Sequence, residues 1–177
     1  MVSPALWTIG HSTRSLEDFI ALLAEHRVEA VADIRRIPAS RRYPHFGQEA
    51  LRAALQARGL GYEHLLELGG RRRPRPDSPN TGWRHEAFRG YADYMSTKAF
   101  QAGIDRLRHS AAQQPTAFMC AEVLWWQCHR RLVADYLTAA GHHVTHIMGP
   151  GKSETHRLTP PAHLVDGALS YQAEGLF

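Results

Sequence analysis

The chain reads as one α/β domain over residues 1–177: a mostly parallel, twisted sheet of about five strands with helices on both faces, Rossmann-like in kind. Three observations predict this. Short apolar runs alternate with segments whose apolar residues recur at helical spacing, from Ala5 to Met148. No internal repeat and no linker divides the chain, whose length suits one domain with a good core. Polar side chains also gather just after the apolar runs, at the carboxyl ends of strands, where open parallel sheets bind ligands.

Ala5–Ile9 is predicted as the first strand, and Gly10-His11-Ser12-Thr13-Arg14 as the turn after it. Ser15 with Asp18 fits a capping box, and Leu16, Phe19, Ile20 and Leu23 give the following helix its apolar face. Val28–Ile34 is a second strand ending in Asp33-Ile34-Arg35, which makes a β-α-β unit with parallel strands and a right-handed crossover. A basic loop with Pro38 and Pro44 follows. Glu49–Arg58 is predicted as a helix stopped by Gly59, and Gly61–Leu66 as a third strand. The stretch from Gly69 to Gly82 (GGRRRPRPDSPNTG) is too rich in Gly, Pro and Arg for regular structure, and loops of this length are usually functional or disordered. Arg84–Met95 and Thr97–His109 are predicted helices, the second with Phe100, Ile104 and Leu107 on one side. Thr116–Ala121 is a buried strand, followed by a helix carrying Leu132, Val133, Tyr136 and Leu137 and stopped near Gly141. His143–Met148 is a fifth strand, and a tail beyond it, 157–177 in particular, is expected to wrap the surface.

Composition excludes several classes. A hydrophobic content of 44% is ordinary for a globular domain, and no apolar run approaches the ~20 residues of a membrane span. The opening MVSPALWTIGHS lacks the pattern of a signal peptide, and two cysteines make no disulfide framework, so a cytoplasmic setting is expected. Net charge is +4 with a pI near 9.4, which suits acidic partners, while the lack of an apolar span leads to the expectation of no membrane. Lys98 and Lys152 are the only lysines, so arginine, the better bidentate anion ligand, carries nearly all the basic charge.

Chemistry concentrates in Thr116–Leu137 (TAFMCAEVLWWQCHRRLVADYL), which holds both cysteines. Cys120 falls at a strand's carboxyl end, Cys128 and His129 at the next helix start, and Arg130 and Arg131 in its first turn. A helix N-terminus stabilises anions and favours a thiolate. With Glu122 these groups form a candidate active site or anion pocket, in which a Cys is nucleophile or redox thiol and Glu122 or His129 the general acid/base. The plainer alternative is a structural Cys120 and an ordinary surface helix start. His11, Ser12 and Arg14 follow the first strand, and Asp33 and Arg35 the second, so all three groups share one crevice if the strands are parallel neighbours. Asp33 and Arg35 point to the same side, as an ion pair or as a substrate clamp.

Several motifs fail. Cys120-Ala121-Glu122 with Cys128 lacks the second cysteine pair of zinc deaminases. Gly149-Pro150-Gly151-Lys152-Ser153 is half a P-loop, with His146 where a Gly is required. There is no serine-hydrolase elbow, and the cysteine-to-arginine spacing of thiol phosphatases is absent. Others stay open. A zinc or iron ion on Cys120, Cys128 and His129, joined by His11 or His156, is chemically possible without diagnostic spacing. The strand–Cys–helix order with VADIR earlier is similar to rhodanese-like sulfurtransferase domains. Arg35, Arg36, Arg41, Arg42, Arg71, Arg72, Arg73 and Arg75 form two basic loops, and Tyr43, Phe46, Trp83 and Tyr91 lie where they could stack bases. Trp125 and Trp126 would wall a pocket or simply pack.

TIGHSTRSLEDF, VADIRRIPASRRYPHF, LGGRRRP, FRGYADYM and MCAEVLWWQCHRRLVADYL together resemble the bacterial domain-of-unknown-function 488 family, over a core of residues 7–156. Where that family often reads Val-Pro-Trp, this chain has Val123-Leu124-Trp125. The resemblance implies that His11, Ser12, Asp33, Arg35, Pro38, Arg41, Arg42, Phe46, Gly69, Gly70, Tyr91, Cys120, Glu122, Cys128, His129 and Arg130 occupy motif positions. It implies a site without naming a reaction.

The expectation is therefore a small enzyme with a Cys/Glu/His/Arg site, a thiol-dependent hydrolase or transferase. Its substrate would be an anionic small molecule, nucleotide or nucleic acid, bound through His11, Ser12, Arg14, Asp33, Arg35, Arg41, Arg42, Tyr91, Trp126, Arg130 and Arg131. The alternatives are a non-enzymatic nucleic-acid or nucleotide binding module, rhodanese-like sulfur transfer, or a zinc or iron centre.

Overall fold

The computed structural model describes residues 2–174. Its elements run β1 (Leu6–Gly10), α1 (Leu16–Glu25), β2 (Ala30–Asp33), α2 (Gln48–Gln56), β3 (Gly61–His64), α3 (Glu86–Tyr94), α4 (Lys98–Gln113), β4 (Thr116–Cys120), α5 (Arg130–Ala139), β5 (Val144–Gly149), β6 (Lys152–Thr155), β7 (His163–Val165) and β8 (Ala168–Ser170). None of the described helices is long and apolar enough to cross a membrane.

Six strands form one sheet in the order β3-β2-β4-β1-β5-β6, all parallel except the last. The strands of the first β-α-β unit are parallel, as the sequence predicts, but β4 lies between them. The Gly149–Lys152 stretch turns β5 back into β6, which extends the edge beyond the five strands expected. Part of the predicted tail forms a separate ribbon, β7 with β8, and residues 175–177 of it lie outside the described residues.

Side chains alternate across the sheet, so each strand feeds two cores. Ile9, Val31, Ala117 and Met119 pack with Phe19, Leu23, Leu51 and Leu55 of α1 and α2. Leu6, Ala32 and Phe118 pack with Tyr91, Phe100, Ile104, Leu132 and Leu137 of α3, α4 and α5 on the other face. Full burial of each such Leu or Phe contributes about 1.5–3 kcal/mol. The start of α1 is set by its cap: the Ser15 hydroxyl accepts the Asp18 N–H at 3.0 Å.

The Gly- and Arg-rich stretch after β3 is ordered by one carboxylate. Asp93 accepts from the Arg75 N–H at 2.8 Å, from the Asn80 amide at 2.7 Å and from the Ser78 hydroxyl. At the carboxyl ends of the strands, β1 and β4 pair through Gly10 and Cys120, and the ladder continues as His11 N–H to Cys120 C=O and Ser12 N–H to Ala121 C=O. A Cβ on Gly10 would lie 1.8 Å from the Glu122 carbonyl oxygen, so only glycine lets the loop after β4 lie against β1.

Candidate thiol site at the carboxyl ends of the strands

The connections after β1 and β2 put α1 and α2 on one face, whereas β4 leads to α5 on the other. A crevice must open where neighbouring strands part in this way. There the structure has a cleft of about 520 Å³, lined by His11, Arg35, Arg36, Ser40, Gly70, Arg71, His85, Glu122, Gln127, His129 and both cysteines among others. Glu122 is its only acidic lining residue.

Cys120 ends β4 and Cys128 sits just before α5, which places their sulfurs 3.0 Å apart, both buried and both free thiols. Arg130, fully buried, lies beneath them. Its Nε donates to Cys120 Sγ at 3.0 Å, its Nη1 to the Thr8 hydroxyl at 3.0 Å, its Nη2 to the carbonyls of Glu122 and Val123, and its backbone N–H reaches Cys128 Sγ at 3.4 Å. Among the described residues no carboxylate pairs with this guanidinium.

An unpaired buried cation is costly, and the thiols supply the missing charge. Burial opposes ionisation of Cys128, but the Cys120 hydrogen bond, the Arg130 charge and the N–H groups at the α5 start outweigh it and hold this thiol well below its ordinary range. Cys120 is pushed well above, by burial first and then by its hydrogen bond to Cys128 and that neighbour's charge. Of the two thiols, Cys128 is therefore the one favoured to carry negative charge beside Arg130. Burial disfavours the Arg130 charge, yet the two sulfurs override it and raise its affinity for the proton.

Two imidazoles face the same cleft in fixed orientations. His129 donates from Nε2 to the Ile34 carbonyl at 2.8 Å, which leaves Nδ1 as an acceptor. His11 donates from Nδ1 to the Ser12 carbonyl at 3.0 Å and stacks on Phe46, its Nε2 facing Arg35. Burial, then the nearby Arg35 charge, lowers His11 to about 4. Burial likewise lowers His129. Both are neutral near pH 7.

The remaining candidates are placed as follows. Asp33 and Arg35 form a bidentate ion pair, with Arg35 Nη1 also donating to the Phe46 carbonyl at 2.7 Å and Tyr62 donating to Asp33. Arg35 thus lines the cleft with its charge already met. Arg14 ties the ends of β1 and β5 through the Gly10 and Met148 carbonyls, and Ser12 takes a left-handed backbone beside it. Tyr91 is buried, donating to the Leu68 carbonyl at 2.7 Å. Arg131 stacks on Trp83 and donates to Thr159 and Pro160 in the tail. Arg41, Arg42 and Trp126 are exposed and do not line the cleft.

The thiols are poorly set for a metal. Arg130 holds positive charge against the sulfurs, His129 uses Nε2 on a carbonyl, and His156 is bonded to Asp135 and His146 instead. No group of three potential ligands converges among the described residues. Sequence reasoning missed Thr8, Asp135 and Tyr171, and took His146 and His156 only as a failed P-loop position and a possible ligand. Each lies in or beside a buried strand or helix where a polar residue reads as incidental.

Fold and cleft together define a class: a doubly wound α/β protein with a thiol pair over a buried arginine at its switch point. The family model described as Domain of unknown function DUF488 matches residues 15–137, and the chain belongs to that family. The matched segment carries both cysteines and Arg130 but stops short of β5, and it is narrower than the 7–156 resemblance read from the motifs. No curated protein and no solved structure matches the chain.

Proposed function

We propose that the chain is a small thiol enzyme, a hydrolase or transferase, with Cys128 as nucleophile and Cys120 as the thiol that hydrogen-bonds to it. One observation carries this reading: a fully buried arginine that, among the described residues, meets no carboxylate and sets its guanidinium against a pair of free thiols on the floor of a cleft. Stability alone is often served as well by packed apolar residues as by a buried charge. In this reading the Cys128 thiolate attacks an electrophilic centre and the substrate's leaving group departs with its bonding pair; water or a second substrate, giving a proton to His11 or His129, both neutral acceptors, then displaces Cys128 as thiolate. Arg36 and Arg71 at the rim, with a single acidic residue in the lining, suit an anionic substrate of about nucleotide size. A reducing cytoplasm is the setting in which such a pair stays ready.

The test is the rate of iodoacetamide alkylation of the native protein from pH 5 to 9, read for each cysteine by mass spectrometry. The expected profile has Cys128 reacting with a midpoint well below the reference ~8.5 and Cys120 silent. A native Cys128 that titrates like a free thiol removes the basis of the proposal. A second reading, a nucleic-acid binding module, has its own observation. Arg36, Arg41, Arg42, Arg71 and Arg73 are exposed on the two loops that flank the cleft.

A further inference from the structure

Behind Arg130 runs a second polar line that the proposed reaction does not use directly. Thr8 Oγ1 lies 2.7 Å from His146 Nδ1, His146 Nε2 2.8 Å from His156 Nδ1, and His156 Nε2 2.7 Å from Asp135 Oδ1, while Tyr171 donates to Asp135 Oδ2 at 2.6 Å. Thr8, Asp135 and His146 are fully buried and His156 nearly so. Trp125 stacks on His146 with ring centroids 4.3 Å apart and planes 3° from parallel, and its indole N–H donates to Glu154. The tryptophan fixes the imidazole plane.

Hydrogen-bond chemistry allows one direction along this line when Asp135 is ionised and both imidazoles are neutral. A carboxylate only accepts, so His156 must carry its proton on Nε2. Its Nδ1 is then an acceptor, which requires the proton of His146 on Nε2. His146 Nδ1 in turn accepts from the Thr8 hydroxyl, leaving the Thr8 oxygen lone pairs to accept Arg130 Nη1–H at 3.0 Å. We infer that Asp135, His156, His146 and Thr8 are positioning residues: one buried carboxylate sets the direction of every bond in the line and so holds the Arg130 guanidinium against the cysteine pair. The line moves no proton to the sulfurs, because a guanidinium does not give one up. It works by orientation.

The consequence for Cys128 rests on the thiol reading above, whereas the direction of the line does not. Around the thiol lie Cys120 from β4, His129 and Arg130 from α5, Tyr91 from α3, and Arg35 and His11 across the cleft. None of these is replaced by changes at Asp135 or Thr8, and of them Arg130 alone bonds to the line, through Thr8. Asp135 itself is faced by His156 from the strand edge, by Tyr171 from the tail and, through Tyr171, by Arg131.

The experiment uses the full chain and two readouts. Imidazole ¹⁵N NMR gives the tautomers of His146 and His156, and the alkylation profile gives the Cys128 midpoint. The wild type is expected to hold both protons on Nε2. Asp135→Asn presents an amide donor or acceptor, frees the line to reverse, and should raise the midpoint by about one pH unit, a roughly tenfold loss of thiolate below it. Thr8→Val cuts the link without removing a charge and should raise it similarly, while Thr8→Ser keeps the hydroxyl and should stay within about twofold of wild-type reactivity. Wild-type protons on Nδ1 would overturn the inference. So would an unchanged midpoint in both Asp135→Asn and Thr8→Val, or a lowered one in Asp135→Asn, which is what loss of a nearby negative charge alone would give. If Asp135→Asn does not fold, the Thr8 pair and the wild-type tautomers decide. Expected tautomers with an ordinary wild-type thiol would sustain the line and remove the thiol enzyme.

Discussion

Arg35 and Arg130 are both buried at the same cleft, and their charges are met in opposite ways. Arg35 lies in a two-pronged pair with Asp33, with Tyr62 on the same carboxylate and the Phe46 carbonyl on the remaining arm. Arg130 meets sulfur, a hydroxyl and two carbonyls. The first pair is closed on itself, two guanidinium nitrogens on one carboxylate, and depends on no reactive group; in that sense it is permanent. A thiolate partner is conditional, because acid, alkylation or oxidation removes its charge. The difference separates the wall of the cleft from its floor: Arg35 shapes the loop after β2, whereas Arg130 bonds to the cysteines.

The largest effect should come from breaking the permanent pair. Asp33→Asn leaves Arg35 buried without a counter-charge and should cost about 3–5 kcal/mol in urea unfolding. Cys128→Ser should cost less, about 1–3 kcal/mol, because a hydroxyl still accepts at the start of α5 and Cys120 still takes the Arg130 Nε–H. Equal losses in the two variants would erase the distinction between the arginines.

Next in size is the pH dependence of stability. Cys128 has its pKa lowered in the folded chain, so between the folded value and the unfolded ~8.5 the unfolded chain binds more protons. Its contribution is thus fully present above about pH 8.5 and is lost as pH falls through the folded value. His11, His129 and His146 are all lowered by burial first, so they make stability rise with pH only below about 6.5. The window from about 6.5 to 8.5 therefore isolates the cysteine pair, with Cys120, raised by burial first, cancelling the climb as pH nears the unfolded ~8.5. Unfolding free energy should climb there by up to about 1.4 kcal/mol per pH unit, and Cys128→Ser should flatten the climb. A wild-type profile as flat as that of the variant would mean that Arg130 does not depend on the thiolate.

How far this contrast is visible in the chain itself depends on where each signal is local. Ser15, Leu16, Phe19, Ile20 and Leu23 mark α1 within a dozen positions, and the Thr116–Cys120 run marks β4, so the placing of Cys120 at a strand end and Cys128 at a helix start follows from short-range pattern. The Asp33–Arg35 pairing is also local, but spacing leaves it open between clamp and ion pair, and only the arrival of Tyr62 and Phe46 decides for the pair. Arg130 is different. An arginine in the first turn of a helix normally lies in water, and nothing nearby in the sequence announces that Thr8 and two carbonyls of the β4 loop enclose it. The partners of the buried line, Thr8 and His146, are 138 positions apart. Periodicity also carries no information on which strand lies beside which, so the insertion of β4 between β1 and β2 had no signal to be read from.

The smallest effect on stability concerns the arginines that are not buried at all. Arg41 and Arg42 stand in water on the loop that gives Ile37 and Ser40 to the cleft, Arg42 resting near the Tyr43 ring. Replacing both by Ala should leave unfolding free energy within about 0.5 kcal/mol of wild type. Their loss separates the two substrate classes. If the partner is single-stranded nucleic acid running over the rim, affinity for an oligonucleotide should fall and the slope of log K against log salt should shrink by about 1.4, two phosphate contacts' worth. If the partner is a small anion held within the cleft, oligonucleotide binding is weak from the start and the double variant keeps the wild-type salt slope. In that case every basic group that matters to the substrate lies inside the cleft, and the charge on the outer loop serves solubility alone.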